Sequence, residues 1–423
     1  MSDSNQKNSY TAPPINLLKN DSYYEPNQKQ NHLENLFEQF GVNVQIAGVY
    51  EGYGVTRYDA RPKPGTRLSE VYDMKEDLEY QLQAGPIRIE VATPDDPIIG
   101  IEVPTGKFEC FPIRQMIESK EFSSVTSGFP IAIGADQRGR TVIDDLNLMP
   151  HLLISGTTGT GKSKFINSVI ISTIYKSDPD DVQFILIDPK AIELDVYNGI
   201  PYLPVRTITK PKAASDMLKW AVSEMERRYR LFTDNEVRDI DEFNRLLMKS
   251  AAMGEDPTPI SSTRLPHIAI IVDELADLMV SGEEIEEPLC RLAQHARNVG
   301  IHLIIATQRP SCDILTGLIK ANMPSRIGFK VASKEDSITI IDQEGAECLL
   351  GMGDMLYFPQ GFSKPLRLQG AFVSEDEIDS VVGYLKEVVQ NTVFNNPLEE
   401  AEGFKNLKKV IEDIESGMIS SPF

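Results

Sequence analysis

Cysteine, histidine and tryptophan are scarce and basic charge is in deficit. The 423 residues hold 4, 5 and 1 of the first three, with 42 lysines and arginines against 63 aspartates and glutamates. Cys110, Cys290, Cys312 and Cys348 are scattered, with no pair at the spacing of a zinc knuckle or redox couple, so they read as buried, reduced thiols. His32, His151, His267, His295 and His302 are equally dispersed, and three adjoin apolar strand-like runs, which fits core or surface histidine better than metal ligand. No apolar run approaches the length that crosses a bilayer, and the N-terminus MSDSNQKNSYTAPP is polar, without a secretory core. No direct membrane insertion is expected, and the expected location is cytoplasmic. The net charge of −21 argues against nucleic acid as a partner unless a local basic surface exists, because phosphate neutralisation drives such binding.

What is present centres on His151 to Ser163, HLLISGTTGTGKS. Leu152, Leu153 and Ile154 read as a short buried strand, and the turn that follows has the phosphate-gripping pattern G-x-x-x-x-G-K-[ST]. Gly156, Gly159 and Gly161 let the backbone of Gly156, Thr157, Thr158, Gly159, Thr160 and Gly161 curl its N–H groups toward an anionic phosphate chain. Lys162 adds a positive charge for the β- and γ-phosphates of ATP, and the Ser163 hydroxyl suits Mg²⁺. Phe165, Ile166, Val169, Ile170 and Ile174 follow at helical spacing, which sets a helix N-terminus on the phosphates. A chance glycine-rich loop would lack these flanks.

The chain divides into four parts. Residues 1–30 are polar and rich in Asn, Gln and Pro, and read as a disordered or loosely attached arm. Residues 31–122 read as a small α+β domain, with a helix over His32–Phe40, strands over NVQIAGVYEG, VTRYDARP, IRIEVATP and IIGIEVP, and one helix over Leu68–Leu82. Residues 123–375 alternate apolar strands with amphipathic helices, which means a parallel sheet covered on both faces. Ser155, Asp188, Asp273 and Gln308 fall at strand carboxyl ends, where such sheets bind ligands. The Pro/Ser/Thr-rich stretch Gly254 to Arg264 reads as an exposed excursion, and residues 376–423 as an acidic helical tail.

Hydrolysis needs a metal anchor and a group that positions water. IAIIVDE supplies Asp273 for the Mg²⁺ shell and Glu274 to polarise water. Gln308, ending the next apolar strand, reads as a γ-phosphate sensor or as a capping glutamine. Arg297, on the helix between these strands, reads as a group that reaches a neighbouring subunit's nucleotide or as a solvated surface arginine.

The blocks PPINLLKN, HLLISGTTGTGKS, IDPKAIELDVYNGIPYL, WAVSEMERRYRLF, IAIIVDELADLM, ATQRPSCDILTGLIKANMPSRI, GAECLLGMGDMLY and GAFV, in this order, resemble the soluble motor of the FtsK/SpoIIIE family of double-stranded DNA translocases. The resemblance implies an α/β fold in which a RecA-like P-loop NTPase motor domain carries a smaller N-terminal α+β domain. It also implies a homo-hexameric ring around double-stranded DNA. Lys162 and Ser163 take the Walker A roles, Asp273 and Glu274 the Walker B roles, and Arg297 that of a finger acting in trans. Arg309 and Lys320 fall where the family presents positive charge to the DNA backbone, and Lys334 matches a lysine that senses nucleotide or touches DNA. Backbone contacts carry no base information, so movement would be largely sequence-independent. Three departures stand out: Ile338 occupies a position where the family usually has arginine, and neither the family's membrane region nor its winged-helix module is recognisable. The alternative is a related secretion or conjugation ATPase that moves protein or protein-bound DNA, against which the run Gln308 to Arg326 follows the DNA translocases.

Overall fold

Aliphatic runs of five to seven residues cannot be solvated on either face, and in the computed structural model they assemble into one large sheet. The structure describes residues 12–19, 32–90, 97–106, 110–125, 129–253, 264–391, 398 and 403–416. The excursion expected at Gly254 to Arg264 lies outside these apart from Arg264.

The N-terminal unit comprises α1 (His32–Gln39), β1 (Val44–Glu51), β2 (Val55–Pro62), α2 (Leu68–Asp73), α3 (Lys75–Leu82), β3 (Arg88–Glu90) and β4 (Ile99–Pro104). Its strands form an antiparallel sheet in the order β1-β2-β4-β3. The single helix expected over Leu68–Leu82 is two, because Met74, buried against Leu78 and Val71, turns the chain between them.

The larger unit continues with β5 (Phe111–Pro112), α4 (Ile113–Ile117), α5 (Lys120–Ser124), β6 (Pro130–Asp136), β7 (Thr141–Asp145), β8 (His151–Ser155), α6 (Lys162–Lys176) and β9 (Val182–Ile187). Then come α7 (Pro211–Asp234), α8 (Ile240–Met253), β10 (His267–Val272), α9 (Leu275–Met279), α10 (Glu286–His295) and β11 (Ile301–Thr307). It ends with α11 (Gly317–Asn322), β12 (Ser325–Phe329), α12 (Lys334–Ile341), β13 (Asp354–Phe358), β14 (Leu366–Phe372), α13 (Glu375–Asn391) and α14 (Phe404–Glu415). The sheet is 10-stranded, in the order β7-β6-β14-β13-β12-β8-β11-β10-β9, with β5 beside β14. Strands β12, β8, β11, β10 and β9 are parallel, as the alternation of strand and helix predicts. The other side departs from the parallel expectation: β13, β14, β6 and β7 are antiparallel to their neighbours, and short connections join β13 to β14 and β6 to β7.

Alternate residues of each central strand feed opposite cores. Ile268, Ile270 and Val272 meet α7 residues such as Met217, Leu218 and Ala221, whereas Ala269 and Ile271 meet α6 residues such as Ile166 and Ile170. The tail helices are part of this packing. On α14, Phe404 lies 4.8 Å from the Trp220 ring, and the Glu415 carboxylate accepts from the backbone N–H groups of Thr209 and Lys210 at 2.8 Å, just ahead of α7. Part of the N-terminal arm is likewise docked: Ile15–Leu17 forms a 3₁₀ turn and Leu18 is buried among Ile113, Met116 and their neighbours.

Buried ion pairs join the two units. Glu102 on β4 is wholly buried and accepts from Arg88 at 3.1 Å and from Arg367 on β14 at 2.9 Å. Arg367 also grips Asp354 with two bonds of 3.0 and 2.7 Å, and Asp354 in turn accepts from the Leu350 N–H at 2.8 Å. A Cβ on Gly100 would come within 2.6 Å of the Arg57 guanidinium, so a larger residue there would displace that side chain.

Candidate nucleotide site

The loop Gly156–Gly161 joins β8 to α6 and bends through two glycines of positive φ, Gly159 at 78° and Gly161 at 118°. Space as well as torsion demands glycine. A Cβ on Gly156 would lie 2.5 Å from the Phe329 Cβ, and one on Gly161 would lie 2.5 Å from the Gly353 nitrogen. The loop is braced by the Thr160 hydroxyl donating to the Thr157 carbonyl at 2.6 Å. It is also braced by the Gly353 N–H donating to the Thr160 carbonyl at 2.8 Å.

A cavity of about 350 Å³ opens over this loop. Its lining includes Thr157, Thr158, Gly159, Gly161, Lys162, Ser163, Gln308 and Glu193, with Cys110, Met352 and Phe372 forming an apolar side. A polar cradle next to an apolar wall is the form of a nucleotide pocket.

Strand ends bring the other candidates to the same rim. Lys162 is buried and donates to the Asp273 backbone carbonyl, while its Nζ lies 3.2 Å from the Asp273 carboxylate. Burial raises the Asp273 proton affinity, and the Lys162 charge opposes that rise. Glu274 caps α9 through the Ala276 N–H and accepts from the Thr307 hydroxyl at 2.6 Å and the Gln308 N–H at 3.1 Å. Gln308 reaches back to the loop, its Oε1 accepting from the Thr158 hydroxyl at 2.6 Å.

Other candidates lie apart. Arg297 is exposed in the turn after α10, which ends at His295, rather than on the helix as expected. That turn precedes β11, so Arg297 sits at the sheet end opposite the cavity, its Nε donating to the Asn147 carbonyl at 3.2 Å. Arg309 is exposed just beyond Gln308, with its backbone N–H on the Thr307 hydroxyl at 3.1 Å. Lys320 and Lys334 are less available than a free basic surface requires. Lys320 pairs with Asp342 at 2.7 Å, beside Arg326, and Lys334 with Glu344 at 2.9 Å. Ile338 is exposed on α12.

The parts played by Asp188, Lys190 and Glu193 escaped sequence reasoning. Asp188, at the end of β9, spends its carboxylate on the backbone N–H groups of Lys190, Ala191, Ile192, Glu193 and Leu194 and so serves as a loop anchor. That loop sends Lys190 to within 3.6 Å of Glu274 and 3.7 Å of Asp277, and sends Glu193 to the cavity. The available signal was a charged cluster directly after a strand end, in IDPKAIEL.

Residues 112–312 match the FtsK/SpoIIIE family and residues 12–105 the FtsK alpha domain. The DNA translocase FtsK of Haemophilus influenzae is 43% identical, the alignment covering 96% of this chain and 81% of that protein. The DNA translocase FtsK of Caldanaerobacter subterraneus is 45% identical over 98% of this chain and 58% of that protein, and the DNA translocase SftA of Bacillus subtilis 46% over 90% and 40%. The chain thus spans about half the length of several relatives it matches, 51% and 52% for two from Clostridium. Among solved structures, the pCW3 conjugation coupling protein TcpA with ATPγS superposes at a TM-score of 0.57 and 22% identity, covering 84% of this chain and 98% of that one. EssC of Geobacillus thermodenitrificans gives 0.54 and 18%, over 65% and 52%. The fold is that of the α/β P-loop ATPase motors, and no helix among the described residues is long and apolar enough to cross a membrane. Sequence identity sustained over nearly the whole of this chain and four fifths of the Haemophilus protein places the chain in the FtsK/SpoIIIE family.

Proposed function

We propose that this chain hydrolyses ATP to drive double-stranded DNA through a ring of identical subunits, a hexamer in the family's manner. The supporting observation is one continuous path of hydrogen bonds. The phosphate loop touches Gln308 through Thr158, Gln308 touches Glu274 through its N–H, and Arg309 follows at once on the same strand end. A change of phosphate at the loop therefore acts on the water-positioning carboxylate and on a DNA-facing arginine together. Relatives at 43 to 46% identity named as DNA translocases support DNA over protein as cargo.

The donor set fits Mg²⁺. The Ser163 hydroxyl and Asp273 carboxylate are hard oxygen donors, and no cluster of three or more acidic, His or Cys ligands occurs among the described residues. Mg²⁺ bound with nucleotide takes one or two protein oxygens, the rest being phosphate and water. It would neutralise the charge developing on the transferred phosphoryl group. Lys162 must then leave Asp273 for the phosphates, Glu274 orients the attacking water, and Gln308 reports the γ-phosphate. Arg297 serves a neighbouring subunit. On the DNA side Arg309 is ready, while Lys320 and Lys334 exchange carboxylate for phosphate as they engage.

Displacement of a third strand from linear triplex DNA tests movement directly. ATP-dependent displacement by the wild-type chain and none by Lys162→Ala is expected. Hydrolysis that linear duplex DNA does not stimulate would rule the translocase reading out.

A further inference from the structure

A carboxylate lining a phosphate pocket is repulsive unless a cation stands between it and the ligand. Glu193 is such a carboxylate, and the cations around it are committed elsewhere: Lys162 to Asp273, Lys164 to Glu375, and Lys190 to Glu274 and Asp277. It is held in place by its own backbone N–H on Asp188, 2.9 Å away, in a loop strained at Ala191, whose φ is 54°. Beside it Ile192 is 74% exposed.

The opposite end of the sheet presents the complementary pair. Arg297 is exposed, bonds the Asn147 carbonyl through Nε, and has no carboxylate partner among the described residues. Next to Asn147, Leu148 is 69% exposed. Strand β11 separates the two ends by about 20 Å, so Arg297 cannot serve Glu193 of its own chain. One patch carries an aliphatic side chain and a carboxylate, the other an aliphatic side chain and a guanidinium. Two different, mutually complementary patches on one chain make a head-to-tail contact, which closes into a ring when the rotation permits.

We propose that Glu193 and Ile192 of one copy receive Arg297 and Leu148 of the next, so that Glu193 is the docking carboxylate that guides the arginine to its neighbour's nucleotide. This rests on the ring reading above. Glu193 holds the guanidinium at the pocket mouth when phosphate is absent and releases it toward the γ-phosphate when ATP arrives. Arg297 on a phosphate and Glu193 behind it also relieves the repulsion within the pocket.

Sedimentation velocity of the full chain, over a concentration series with linear duplex DNA and no nucleotide, measures assembly in the state in which Glu193 holds Arg297. Glu193→Arg and Arg297→Glu are each expected to raise the assembly midpoint by at least about tenfold, and the double exchange to return it near the wild-type value, since like charges face each other only in the single variants. ATP hydrolysis is not expected to return, because the arginine then stands on the wrong side of the pocket. Ile192→Lys, Leu148→Glu and their combination repeat the test at exposed positions that leave the monomer fold intact. A double exchange that assembles no better than the single variants, in both pairs, overturns the seam while leaving wild-type hydrolysis and translocation untouched. A wild-type chain that remains monomeric overturns the ring, and the seam with it.

Discussion

Glu102→Gln offers a sharp test of how the two units are joined. The side chain is wholly buried, and its charge is the carboxylate partner of Arg88, itself buried, and a second partner of Arg367. An amide in its place would keep the shape and remove the charge. Arg367 retains Asp354, but Arg88 becomes a buried cation without its counter-charge, a defect that destabilises by about 3–5 kcal/mol. The titration of Glu102 leads to a similar magnitude. Burial pushes its proton affinity up, but Arg88, Arg367 and Arg57 together outweigh burial and hold the carboxyl at about 2 against an ordinary 4.5. A depression of that size corresponds to about 3 kcal/mol of linked folding free energy.

The sign follows from the lowered value. A carboxyl that loses its proton more readily in the folded chain stabilises the fold above pH 4.5, and that contribution disappears as pH falls to about 2. Urea unfolding is followed by circular dichroism and by the fluorescence of Trp220, the only tryptophan. At pH 7 the variant should unfold at lower urea by about 3 kcal/mol, and the difference from wild type should shrink steadily between pH 4.5 and 2. A loss below about 1 kcal/mol at pH 7, or a difference independent of pH, would mean that water screens the seam and that Glu102 does not bind the units together.

Other perturbations report on the site. Glu274→Gln should bind ATP and lower hydrolysis by at least about 100-fold in a phosphate-release assay, because an amide cannot take the water's proton; wild-type turnover would remove Glu274 from its role. Asp342→Asn keeps a residue type tolerant of the φ of 57° at that position and frees Lys320. It should tighten DNA binding and steepen the log–log salt slope by about 0.9, an effect that Lys320→Ala abolishes. Unchanged binding would mean that Lys320 does not face DNA. Gly161→Ala sets a Cβ 2.5 Å from the Gly353 nitrogen at a φ of 118°, so fluorescent ATP binding should fall while the melting temperature of the rest of the chain holds. Normal binding would mean that the Met352–Gly353 wall yields freely.

Local chemistry made the phosphate loop and the central strands legible. Gly156, Gly159, Gly161, Lys162 and Ser163 are contiguous or nearly so, and the runs at Val182, His267 and Ile301 are apolar on both faces, so a few neighbouring residues decide each element. The antiparallel half of the sheet was less legible. Strand β13 is antiparallel both to β14, across a short connection, and to β12, across helix α12, a property of topology that strand composition does not carry. Charge pairing was least legible. Lys320 meets Asp342 across 22 residues, and Arg367 meets Glu102 across 265, so a count of local charge made Lys320 look free.

That difference bears on the net charge of −21, which argued against a DNA partner. Many of the acids are inward-directed or already spent: Glu102, Asp354 and Asp59 on arginines, Asp188 on backbone N–H groups, Asp342 on Lys320 and Arg326. A carboxylate committed in this way contributes little field at a distance, because its partner cancels it within a few ångströms. If the proposed reading holds, the quantity that governs DNA affinity is the set of cations that can exchange their carboxylate for phosphate. On the proposed reading, Arg309 is exposed and in no ion pair among the described residues, whereas Lys320 needs Asp342 to yield and Lys334 needs Glu344 to yield, so DNA would be engaged more strongly as those pairs open. Asp342 caps the C-terminus of α12, which Lys334 begins, so both lysines answer to the position of one short helix packed on β12, the strand beside β8 that leads into the phosphate loop.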